Sequence, residues 1–335
     1  MQARNLGVTG IVTSILGFGC ASLFHLPRTS ERRRMLEVAF DAGIRHFDVA
    51  PIYGLGRAEP ELARFFRQRR TEITVASKFG MQPTVLGRAA GFAQAPVRAA
   101  LRHKPQNQVR LQRSGRGPEA GLAGRLLYRH VGHTRSAAHA GLNRSLRALR
   151  TDYLDVFLLH EPAESLVDTQ EMTEYLEGER GRGRIRAWGT AGESDVQAAL
   201  LDTLAGSQVI QHRDNILDES NLLTNGDGLG HISFGVLAQV LAPLRELLAA
   251  RPPGLASWNE MSGCDLTEPG NLVSLLLRQA VSRNTSGPVV FSTTRADRLE
   301  VAVRAVQTEQ SESEGLVMRH LADALRLVPE TGVVS

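Results

Sequence analysis

The 335-residue chain reads as an α/β protein, a (β/α)₈ TIM barrel with an N-terminal β-hairpin and long insertions after strands 3 and 7. Three observations predict this. About eight short apolar stretches alternate with segments of helical apolar spacing, which favours parallel pairing. At this length, eight such units close into a single barrel spanning 1–335. Three of the apolar stretches end in an ionisable residue, as strands do whose ends meet on one mouth. A doubly wound open sheet is the rival fold, but no Gly-x-Gly-x-x-Gly follows a strand here.

In chain order, Ile15 to Gly19 forms the first barrel strand. Thr29-Ser30 offers an N-cap, with Glu31 in the first turn. Met35, Leu36, Ala39 and Phe40 then repeat at helical spacing up to Gly43. The run from Ile44 is the second strand, closed by Asp48, and Pro51, which cannot donate to a ladder, turns strand into loop. A helix over 59–70 leads to the third strand, Ile73 to Lys78. From 80 to about 133 periodicity fades among glycines, prolines and arginines, so 80–135 reads as a basic, mobile insertion. Order returns with a helix over 137–149 and a buried strand, Tyr153 to Leu159, that ends in His160-Glu161-Pro162. Helices over 172–181 and 196–204 alternate with strands at 185–189, 209–211 and 232–237. The last strand, Val289 to Phe291, precedes a helix over 296–306, and 252–270 reads as a second loop on the same face as the first.

Composition narrows the function classes. Cys20 and Cys264 give neither a disulfide framework nor a spaced metal site, which fits a reducing compartment, with the cytoplasm as the default and no metal expected. Arg4 followed by the uncharged run 11–26 has the length of a signal-peptide core, yet Gly10, Gly17, Gly19 and His25 interrupt it. No stretch reaches the about 18 apolar residues of a membrane span. The net charge of +4 conceals an asymmetry: Arg98 to Arg135 holds nine Lys or Arg and one acid, Glu119. Such a patch can meet nucleic acid, but it has one aromatic, Tyr128, and no recognition motif, so a solvated insertion is the expected reading.

Asp48, Tyr53, Lys78 and His160 all map to the carboxyl ends of their strands. Singly, each has a mundane explanation as cap, packing residue, snorkelling lysine or buried imidazole. Together on one mouth they would be expensive to desolvate unless they pair with one another. With these residues in place, the chain resembles the aldo-keto reductase family. The resemblance rests on Asp48-Val49-Ala50 with Tyr53-Gly54, on Lys78, and on Leu158-Leu159-His160. It also rests on Leu6 to Gly10 ahead of Leu16-Gly17-Phe18-Gly19, and on Thr151-Asp152-Tyr153-Leu154-Asp155. It implies a (β/α)₈ barrel that reduces an aldehyde or ketone with hydride from a nicotinamide cofactor. Tyr53 is then the proton donor, Lys78 the cation that stabilises its phenolate, Asp48 the anchor of Lys78, and His160 the group that orients the carbonyl. The need for a cation is physical, since a phenol titrating near ~10 is a poor acid and base at neutral pH.

The same resemblance implies cofactor contacts at Gly19, Cys20, Gln211, Phe234, Leu237, Ser292, Thr293 and Arg298. Gln211 matches the carboxamide ligand, and Phe234 falls where a Tyr usually stacks on the nicotinamide. The usual Ser-Asn pair after the fifth strand is Ala191-Gly192 here, leaving backbone or Thr190 to make those bonds. Ser292 to Arg298 resembles the phosphate-binding segment, where hydroxyls, a helix N-terminus and Arg298 suit a 2′-phosphate, so NADP is expected ahead of NAD. The Glu-Asn pair that reads the adenine is Val301-Ala302. Two rivals remain: a nucleotide-binding regulatory or scaffold protein on the same barrel, and a nucleic-acid role for the basic insertion. Substrate identity, reaction direction and oligomeric state are not legible.

Overall fold

The computed structural model describes residues 1–91, 126–162, 168–192, 200, 203–218 and 228–327. Eight strands close into an all-parallel barrel: β3 (Leu16–Gly19), β4 (His46–Asp48), β5 (Thr74–Phe79), β8 (Leu154–His160), β9 (Ile185–Gly192), β10 (Val209–Arg213), β11 (Gly230–Phe234) and β12 (Val289–Phe291). Closure runs through β12 and β3, with Val289 opposite Leu16 and Phe291 opposite Phe18. Strand alternation divides the core in two. One apolar set, including Ala76, Val156, Leu158, Ala187, Val209 and Ile232, fills the lumen. A larger one, with Phe18, Phe47, Phe157 and Trp188, packs between the barrel wall and the helices.

The expected N-terminal hairpin is present as β1 (Ala3–Asn5) paired antiparallel with β2 (Val12–Ser14). Its turn inserts Leu6 and Ile11, both fully buried, into the lumen as a plug. Gly7 is required there: its φ is +51°, and a Cβ would lie 2.4 Å from the Gly230 backbone nitrogen.

The helices differ from the sequence reading at their ends. Helix α1 (Thr29–Asp41) begins on the residue expected to cap it: Arg28 is the N-cap, with its N–H donating to Glu31 Oε2 (3.1 Å), while Thr29 Oγ1 accepts from Arg32. Helix α2 (Ala58–Phe66) stops short of residue 70 because Arg70 turns to the β8 side, where it meets Asp155 (2.8 Å) and the Tyr153 carbonyl. Helices α3 (Arg135–Leu149) and α4 (Thr169–Gly181) start two and three residues early, on Thr134 and Asp168 caps. Of the helix expected over 196–204, only 200, 203 and 204 lie within the described residues.

After β5 the chain forms β6 (Met81–Pro83) and returns as β7 (Tyr128–His130), an antiparallel ribbon that the sequence did not signal. Of the insertion expected over 80–135, residues 92–125 lie outside the described residues. The expected loop 252–270 is partly helical. There α6 (Leu255–Ser262) lies between Gly254 and Gly263 and buries no residue fully, with Leu255, Trp258 and Met261 packing half-buried against the core. Three further helices were not assigned from sequence: α5 (Leu241–Ala249), α7 (Pro269–Arg283) and α9 (Glu312–Arg326). They accompany the expected α8 (Ala296–Ala305). The strand expected over 232–237 is instead 230–234, ended by Gly235 at φ +74°. No described helix is long and apolar enough to cross a membrane.

Candidate active site

Asp48 is the last residue of β4 and Lys78 the penultimate residue of β5, so neighbouring parallel strands deliver both into the mouth of the lumen. Lys78 Nζ lies 2.5 Å from Asp48 Oδ1, with both side chains almost wholly buried. Burying two charges is tolerable when they meet and their remaining valences are used. The ammonium also donates to the Val49 carbonyl (3.3 Å) and to Tyr53 Oη (3.5 Å).

Tyr53 sits in a short 3₁₀ turn, Tyr53–Leu55, that follows Pro51. Its neighbour Gly54 has φ +58°, and a Cβ there would come 2.4 Å from the Phe24 ring. Glycine therefore lets Phe24 close against the backbone beside the phenol. His160 ends β8, and its backbone carbonyl meets His133 Nε2 (3.1 Å). Burial, and then the charge of Lys78, push its imidazole well below the ordinary value, so His160 is neutral near pH 7. Its Nδ1 has no protein partner.

These four residues line one cavity of about 870 Å³ at the carboxyl end of the barrel, within the range of small-molecule sites. Gly19, Gln211, Phe234, Leu237 and Ser292 line it too. Three of the twelve expected residues do not. The Cys20 side chain is buried in the outer core, where desolvation raises its thiol far above the usual range. Thr293 Oγ1 is turned to its own loop, accepting from the Arg295 N–H (3.2 Å). Arg298 is exposed on the first turn of α8, close to the Arg295–Asp297 ion pair.

Gln211 Nε2 donates to Asp48 Oδ1 (2.9 Å), leaving Oε1 buried without a partner. Such an orphaned acceptor, beside the half-buried ring of Phe234, suits the amide and the flat face of a nicotinamide. Ser292 Oγ donates to the Gly19 carbonyl (3.1 Å). Ala191 and Gly192 line the cavity at the end of β9, whereas Thr190 does not and its hydroxyl is an unpartnered buried group. Alternation turns Thr190 toward the helices, so it cannot replace the missing polar pair. Among the described residues, no group of three or more His, Cys, Asp or Glu is placed to hold a metal.

The sequence reading missed several lining residues. Glu161 follows His160 with φ +48°, an uncommon left-handed conformation for glutamate. Arg213 lies two residues beyond Gln211 and so shares its face, a signal that alternation offered. Tyr128 comes from β7, in a stretch without periodicity, and carried no signal.

With this geometry in hand, comparison with known proteins is informative. A D-threo-aldose 1-dehydrogenase of Pseudomonas sp is 29% identical over 188 residues, 54% of this chain and 50% of that protein. A probable voltage-gated potassium channel β subunit of Oryza sativa is 26% identical over 195 residues, 57% of this chain and 46% of that one. The chain thus spans about half the length of the curated relatives it matches. Among solved structures, the holo form of an aldo-keto reductase from Bacillus halodurans superposes with a TM-score of 0.70 at 21% identity, covering 97% of both chains, and shares the fold. Residues 15–239 match the profile of the Aldo/keto reductase family, about two thirds of the sequence, and the chain belongs to that family.

Proposed function

We propose that this protein is an NADP-dependent oxidoreductase that reduces an aldehyde or ketone, or oxidises the corresponding alcohol or sugar, with Tyr53 as general acid and base. The observation that carries this reading is the contact chain Asp48–Lys78–Tyr53 opening into a cavity of about 870 Å³. Lys78, held by Asp48, places its charge beside the phenol and stabilises the phenolate left when the carbonyl oxygen is protonated. Neutral His160 orients the carbonyl without competing for that charge. When bound, the reduced nicotinamide supplies the hydride. Gln211 Oε1, the Phe234 ring, Leu237 and the backbone near Gly19 and Cys20 would hold its ring end. Ser292, Thr293 and Arg298 would hold its phosphate end, with the dipole of α8 favouring a 2′-phosphate. The aldose dehydrogenase among its relatives makes a sugar the first substrate class to try. We take 1–335 as one barrel domain carrying 80–135 as an insertion, acting in the cytoplasm without a metal.

A second reading, a nucleotide-binding regulatory or scaffold protein with weak turnover, is favoured by Ala191-Gly192 in place of the polar pair and by the channel-subunit relative. NADPH oxidation against aldehydes, ketones and sugars separates the two. The first reading expects turnover that Tyr53→Phe abolishes with cofactor affinity nearly intact; full turnover in that variant refutes the assigned acid.

A further inference from the structure

Gln211 does more than face the cavity. In the strand order β10-β11-β12-β3-β4, β10 and β4 are four positions apart around a barrel of eight, on opposite walls. The Gln211 side chain therefore crosses the lumen, and its Nε2 reaches the same Asp48 oxygen that Lys78 holds. Which amide atom faces Asp48 follows from chemistry: an ionised carboxylate only accepts, so the N–H₂ end must point to it. The carbonyl Oε1 is left buried and unpartnered within the protein. One oxygen thus takes two donors, and the ammonium sits closer to it (2.5 Å) than to the phenol (3.5 Å).

We propose that Gln211 is a positioning residue that couples occupancy of the cavity to the acidity of Tyr53, by sharing Asp48 with Lys78. This inference rests on the role given to Tyr53 above. An N–H donor from a bound amide engaging Oε1 polarises the Gln211 amide and strengthens its bond to Asp48. The hold of Asp48 on Lys78 loosens correspondingly, and the ammonium moves its charge toward Tyr53. By linkage, ionised Tyr53 in turn favours the ligand that engages Gln211. The remaining titratable groups around the cavity are His25, Tyr128, His160, Glu161 and Arg213.

The test needs no turnover. Phenolate absorbance is titrated in ligand-free wild type, Gln211→Met and Gln211→Glu, with a Tyr53→Phe control subtracting Tyr128, Tyr153 and Tyr175. In Gln211→Met the Tyr53 midpoint should rise by about one pH unit, a tenfold change, because Asp48 is left to Lys78 alone. In Gln211→Glu two carboxylates share one proton at low pH and imitate the amide. Loss of that proton adds a negative charge, so the midpoint should rise further than in the Met variant. Oxidised NADP should bind more tightly to wild type as pH passes the Tyr53 midpoint, and with a shallower pH dependence to Gln211→Met, where only the direct attraction of the phenolate for the cationic ring remains. A Tyr53 midpoint unchanged in the substituted proteins overturns the proposal. Should Gln211→Met fail to fold, the Gln211→Glu titration decides alone by the same criterion. Retained turnover in Tyr53→Phe would remove the catalytic reading while leaving the titration interpretable, so the two failures are distinct.

Discussion

β4 and β5 carry polar side chains into the lumen at both of their ends, and the two ends satisfy them differently. Near the floor, His46 Nδ1 meets Thr74 Oγ1 (3.1 Å), and Thr74 in turn meets Thr13 Oγ1 of the N-terminal hairpin (2.7 Å). Near the mouth, Asp48 and Lys78 form an ion pair beside an open cavity. The floor is neutral, closed by Leu6 and Ile11, and holds an imidazole that burial drives down to about 4. The mouth is charged and leaves acceptors such as Gln211 Oε1 without protein partners. The same two strands thus end in a closed, plugged floor and in an open, charged mouth. At the floor the hairpin closes the end and gives Thr74 a hydroxyl partner, with His46 Nε2 left buried and unpartnered; at the mouth the unpartnered Gln211 Oε1 lies beside an open cavity.

The largest effect expected at the mouth comes from Lys78→Met. Removing the cation beside Tyr53 should lower turnover by about 10³-fold, roughly 4 kcal/mol in the barrier. It also leaves Asp48 buried without its ion pair, which destabilises by about 3–5 kcal/mol. The paired change Lys78→Met with Asp48→Leu separates these effects. Equilibrium unfolding should recover toward wild type while turnover stays lost. Turnover that recovers with stability would reduce the pair to a structural element like the one at the floor.

The floor should fail differently, by pH. In the unfolded chain His46 takes a proton at its ordinary value of 6.5, while in the fold it takes one only near about 4. Between those values the unfolded chain binds more protons, so acid favours unfolding. The contribution is complete above about 6.5 and falls by roughly 3 kcal/mol as pH drops to about 4. Chemical unfolding across that window should show a flatter fall in His46→Asn than in wild type. Parallel curves for the two would show that His46 carries none of the acid sensitivity. Turnover near pH 7 in His46→Asn should match wild type.

The mouth was more legible in sequence than the floor or the rim, for a physical reason. Asp48, Lys78 and His160 each interrupt an apolar run, and a charge in a buried strand is visible without knowledge of its partner. His46 also interrupts a run, but its partner is the hydroxyl of Thr74, twenty-eight residues later, and tertiary contacts of that kind leave no local pattern. The ribbon that brings Tyr128 to the cavity was illegible because β6 and β7 are three residues each, too short for alternation to register. No element was assigned over α5, α7 and α9, although Leu244 and Leu248, Leu272 and Leu276, and Val317 and Leu321 fall at helical spacing. Arg213 was within reach of alternation from Gln211, and Glu161 was masked by its neighbour.

The rim around α8 provides the smallest and most exposed term of the comparison. Unlike Lys78, Arg298 is on the surface, and Thr293 and Arg295 are engaged in shaping the start of the helix. An arginine in that setting acts on a phosphate through solvent-screened attraction added to the helix dipole. Arg298→Ala should therefore weaken NADPH about tenfold, roughly 1.4 kcal/mol, and leave NADH nearly unchanged. The NADPH loss should shrink as salt is raised, whereas the effect of Lys78→Met, made inside the lumen, should not. Equal weakening of both cofactors in Arg298→Ala would take the 2′-phosphate away from this rim. A measured NADPH preference would then be assigned to the backbone amides of α8 or to another wall of the cavity.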